Sequence, residues 1–112
     1  MNKEYEMKNG IYSLIFKSEG KDFGNGILVV EDERALGGDL IYVYKGEVEG
    51  NTLVLELTQH NQHAHSIFGN LNALKVNLNL YSESNGYILK GNVENLQTVP
   101  LIVDAKFIGD LS

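Results

Sequence analysis

The chain has no cysteine and no tryptophan, a single proline (Pro100) and a single arginine (Arg34) in 112 residues. Without cysteine there is no disulfide framework, no thiolate zinc site and no thiol nucleophile, which fits a reducing compartment. The lysines are scattered from Lys3 to Lys106 and nowhere cluster. That argues against direct nucleic-acid binding, whose affinity rests on neutralising phosphates. No apolar run reaches the roughly 18 residues that span a bilayer, and no basic start leads into a signal-like apolar stretch. The expectation is a cytoplasmic protein with no membrane contact. Catalytic signatures are missing as well: there is no P-loop, nucleophile elbow or zinc-protease motif. Gly24-Asn25-Gly26 lacks the third glycine of a dinucleotide cradle and leads into a strand. No enzyme activity and no cofactor are expected.

What is present is the composition of one globular domain. Hydrophobic residues make up 43% and charged residues 21%, which separates the chain from disordered or fibrous sequences. Fifteen acidic against nine basic side chains leave a net charge of −6, a balance that suits a basic protein partner.

Residues 1–9 read as a charged tail and residues 10–112 as a single domain of short strands divided by turns. The runs GIYSLIFK (10–17), GNGILVVE (24–31), ALGG (35–38) and DLIYVYKGEVE (39–49) are rich in β-branched and aromatic residues. Gly50-Asn51 connects the last of these to TLVLELTQ with the signature of a tight II′ or I′ hairpin. LKVNLNLY alternates most clearly, with Leu74, Val76, Leu78 and Leu80 on one face. Asn85-Gly86 predicts a type I′ turn into YILKGNVE, and Pro100 opens a final strand, PLIVDAKFIG. About eight such strands and no helical period predict an all-β fold, a small eight-stranded antiparallel up-and-down barrel. Residues 60–73 show no strand period and are longer than an ordinary hairpin loop, which suggests a lid or binding loop.

The candidate chemistry is sparse. All three histidines, His60, His63 and His65, fall within this loop. No single regular structure aligns them and no acid lies close by, so they read as loop composition rather than as a metal or general-base site. Glu31-Asp32-Glu33 sits at a predicted hairpin tip, as a solvated turn or as a charged docking knob. Tyr42 and Tyr44 share one strand face, opposite Ile41 and Val43. That face is ordinary packing, the lining of a cavity mouth, or an outer contact surface.

Taken in order, Gly10 to Phe16 (GIYSLIF), Gly24 to Leu28 (GNGIL), Gly37 to Asp39 (GGD), Val43 to Gly46 (VYKG) and the closing VDAKFIGDL resemble the GrlR-type negative regulators of type III secretion. His60 with Ser66-Ile67-Phe68-Gly69 is similar to a further element of that family. The resemblance runs from Gly10 onward, about nine-tenths of the chain. It implies a lipocalin-like barrel, a homodimer, and a non-enzymatic regulator that binds a transcriptional activator protein. One departure concerns the site: the family's acidic E-D-E-D run, in the hairpin before the Leu-Val-Leu strand, is here Glu49-Gly50-Asn51-Thr52. Candidate protein-binding residues are therefore Glu31, Asp32, Glu33, Glu49, Tyr42 and Tyr44. The alternative is a binder of a small apolar ligand, with residues 60–69, and His60, Ile67 and Phe68 in particular, as a lid; an interior filled by Leu53, Leu55, Leu74, Val76, Leu78 and Leu80 would leave it no chamber.

Overall fold

A computed structural model describes residues 7–19, 21–61, 72–94 and 96–112. Eight strands follow one another: β1 (Gly10–Ser18), β2 (Lys21–Glu31), β3 (Arg34–Gly38), β4 (Tyr42–Glu49), β5 (Thr52–Gln59), β6 (Ala73–Glu83), β7 (Gly86–Val93) and β8 (Leu96–Gly109). Each pairs antiparallel with its neighbour in the chain, and β1 pairs with β8 to close an up-and-down barrel. Closure satisfies the backbone groups that an open sheet would leave at its edges. Among the described residues no helix is long and apolar enough to cross a membrane.

The period-2 pattern decides which side chains fill the barrel. Leu53, Leu55 and Leu57 of β5 face Leu78, Val76 and Leu74 of β6 in register, and all six are buried. Tyr12, Leu14, Leu28, Val30, Leu89 and Val103 complete the same inner surface. Each such aliphatic side chain contributes about 1.5–3 kcal/mol by leaving water. The outer face of the β4–β5–β6 segment carries Lys45, Glu56 and Lys75 in one cross-strand row, an arrangement of alternating charge that favours this register.

Four local expectations need correction. Asn85-Gly86 does not form the two-residue turn: Glu83 pairs with Gly86, so the turn residues are Ser84 and Asn85, and Gly86 (φ 149°) is the first residue of β7. Pro100 lies inside β8 rather than at its start; β1 stops pairing with β8 at Ile102, so the proline sits where no β1 partner asks for its missing N–H. Asp39, Leu40 and Ile41 precede β4 instead of belonging to it. The tail also ends earlier than the composition suggests, because Met7 is only 4% exposed and packs into the core at one barrel end.

Strand parity sorts the connections into two poles. The first pole gathers Met7 to Asn9, the β2–β3, β4–β5 and β6–β7 hairpins and residues 110–112. The second holds the remaining connections: β1–β2, β3–β4, β5–β6 and β7–β8.

Candidate functional site

At the first pole two hairpins stand side by side. The β2–β3 tip is a two-residue turn, Glu31 paired with Arg34, in which Asp32 (φ 51°) and Glu33 (φ 70°) both adopt positive φ. Type I′ hairpins need that geometry, because it follows the twist of the strands. The β4–β5 turn has positive φ only at Gly50 (63°), as a type II′ turn does. The Val48 amide donates to the Glu33 carbonyl at 2.8 Å and thereby ties the two tips together. Glu31, Asp32, Glu33 and Glu49 are all exposed, and the fold brings these four predicted residues to one end of the barrel. Arg34 stands between Glu31 and Glu47 in register and is the nearest basic partner in the ladder.

Tyr42 and Tyr44 go elsewhere. Both rings are buried, at 4% and 0% exposure, so they cannot form an outer contact surface. The reason lies in β4 itself: Lys45, Glu47 and Glu49 hold the outward parity, which sends Tyr42, Tyr44 and Val48 inward. Tyr44 packs edge-on against Phe16, with ring centroids 5.7 Å apart. Its hydroxyl lies where a side chain on Gly26 would otherwise sit and donates a hydrogen bond to the Asp39 carboxylate. The other Asp39 oxygen accepts from the Ile41 and Tyr42 amides, both at 2.7 Å. Burial, and after it the hydrogen bond to Asp39 and that carboxylate's charge, push the Tyr44 hydroxyl far above the ordinary tyrosine range. Asp39 was missed as a key residue from sequence, although an Asp just after Gly37-Gly38 is a usual turn former.

His60 is exposed just beyond β5, with its Nε2 2.9 Å from the Asp39 carbonyl oxygen. Its amide donates to the Ile41 carbonyl, so it fastens the β5–β6 connection to the β3–β4 turn. His63, His65, Ile67 and Phe68 lie outside the described residues. In the barrel interior, Tyr44, Leu53, Leu55, Val76 and Leu78 are 0% exposed, so buried side chains occupy these inward positions of β4, β5 and β6. Leu74 and Leu80 are nearly as well buried.

A second group at the first pole was not anticipated. The Tyr12 ring lies 5.9 Å from Tyr87 and 5.6 Å, edge to face, from Phe107. The chain crosses this trio at Lys8, whose amide donates to the Tyr87 hydroxyl (3.0 Å) and whose carbonyl accepts from the Tyr12 hydroxyl (2.6 Å). Burial, and then the neighbouring Tyr87, raise the Tyr12 hydroxyl well above its usual value. The only sequence signal was the tyrosine enrichment, which does not show that distant strands converge. A scan against models of protein families returned no match, and a search of curated proteins returned none either.

Proposed function

We propose that this chain is a non-enzymatic regulatory binding protein that docks its acidic pole on a basic surface of a transcriptional activator, in the manner of the GrlR-type regulators it resembles. The juxtaposition of Glu31, Asp32 and Glu33 with Glu49 carries this reading. The β4–β5 hairpin holds only one acid, yet the adjoining tip supplies three more, so two hairpins together present an acidic run split between them. Exposed charge of one sign steers a partner of the other and raises its association rate.

The inward side chains Leu53, Leu55, Leu74, Val76, Leu78 and Leu80 are all buried, which favours contact on the outside over a ligand within. Apolar filling inside and a charged row outside are the reverse of a membrane barrel's polarity and favour a barrel surrounded by water, as a cytoplasmic placement requires. Homodimerisation belongs to the same proposal. Ile27, Leu36 and Val43 are 44%, 55% and 38% exposed on adjacent outward positions of β2, β3 and β4.

The test is a pull-down from native lysate with the wild type and with the triple variant E31K/D32K/E33K. The expected outcome is a basic activator protein retained by the wild type and released by salt. Association of the purified pair should be slowed about tenfold or more by the charge reversals at low ionic strength. Equal recovery and unchanged kinetics would sink the reading.

A further inference from the structure

The geometry points to a pocket for the charged head of a basic side chain, an ammonium or guanidinium, formed by Tyr87 and Phe107 at the acidic pole. This rests on the reading of that pole as a docking surface and adds to it the means of anchoring. A cleft of about 270 Å³ opens there, lined among others by Lys8, Glu83, Tyr87 and Phe107. Tyr87 and Phe107 are half-buried and line the cleft together with the fully buried Tyr12. Aromatic faces with a carboxylate beside them form the environment that attracts a desolvated cation.

The pocket already holds such a group. The Lys8 ammonium lies 4.4 Å from the centroid of the Phe107 ring. Lys8 is an exposed residue, so its side chain can leave for water without disturbing the core. The chain's own lysine thus stands in for a partner's cation and competes with it.

The backbone on either side joins the pocket to the acidic tips. The Lys8 amide is held by Tyr87, and the next residue, Asn9, accepts the Asp32 amide on its Oδ1 at 3.0 Å. A basic segment drawn to Glu31, Asp32 and Glu33 therefore arrives beside the aromatic cleft. Gly10 sets the position of the Phe107 ring. It has φ 152°, and a Cβ there would stand 2.3 Å from a Phe107 ring carbon. Only glycine lets the ring lie against the backbone.

Titration of the full chain with n-butylammonium, followed by amide and aromatic-ring NMR, tests the pocket. 1-Butanol serves as the uncharged isostere. Saturable shifts should appear on the Tyr87 and Phe107 rings with the cation and be absent with the alcohol. Lys8→Ala, which removes the internal competitor from an exposed position, should tighten binding about two- to fivefold, the range of one exposed cation–π contact. Phe107→Leu should lose the ring-localised response, and Glu83→Gln, at an exposed position, should weaken it even if the Phe107 variant fails to fold. Equal shifts with 1-butanol, or no gain in the Lys8 variant, would overturn the inference. The charge-reversal pull-down is independent of these probes, so failure of the pocket and failure of the docking reading are told apart.

Discussion

Tyr44 shows how one side chain depends on distant residues. Its hydroxyl is satisfied only because Gly26 leaves room and Asp39 turns its carboxylate inward. Replacing Tyr44 with Phe should cost about 1.5–3 kcal/mol of unfolding free energy, the worth of a hydrogen bond to a charged group, as measured by urea denaturation. The same burial sets a pH dependence. Tyr12 and Tyr44 have hydroxyl pKa values raised in the folded state, so the folded state holds these protons more tightly than the unfolded one. Their contribution is complete below about pH 10 and falls as the pH rises past the ordinary tyrosine value. Stability should therefore be flat in this respect up to about pH 10 and drop above it, more steeply for the wild type than for Tyr44→Phe. The face of β4 that carries Tyr42 and Tyr44 was legible in the alternation. Which side it occupied was readable from Lys45, Glu47 and Glu49, whose charges claim the outward parity. Only the partner at Asp39 required the three-dimensional structure, because the turn that presents it looked like more of the strand.

At the level of the hairpins, the sequence spoke clearly through alternation and less so through turn residues. The β5 and β6 runs lie where their leucines place them. Gly50-Asn51 turned as expected, whereas Asn85-Gly86 slipped by one residue because the register of β7 against β8 fixes Gly86 opposite Lys106. The strained turn went to Asp32-Glu33, which carry no glycine at all. An L-residue in the left-handed region costs roughly 1 kcal/mol or more, with Asp better tolerated than Glu. Glu33→Gly should relieve this and raise stability by about 0.5–1 kcal/mol. The same change deletes an acid from the docking tip, so association with the partner should slow. Opposite movements of the melting midpoint and the association rate are the expected result; a variant that loses stability would show that the turn carries no such strain.

Across the whole molecule, barrel closure leaves an apolar surface on β2, β3 and β4 unexplained by the core. Ile27, Leu36 and Val43 sit around Gly38, whose missing side chain flattens the outer face of β2, β3 and β4. If this face joins two copies, Leu36→Lys should convert a dimer to a monomer in light scattering coupled to size exclusion, because it buries a charge in each half of a symmetric interface. A dimer that survives the change lies on another face. The closed barrel was legible from strand number and spacing. The meeting of Tyr12, Tyr87 and Phe107 was not, since it joins β1, β7 and β8 across most of the chain.

Eight is an even number, and this has a practical effect. Residues 7 and 112 lie at the same pole as the acidic tips, so any handle joined through them starts from the end that the protein is proposed to use. Leu40, 84% exposed in the β3–β4 turn, lies at the opposite pole. In a chain without a native thiol, Leu40→Cys offers a unique point of attachment from which the acidic end faces outward, unobstructed.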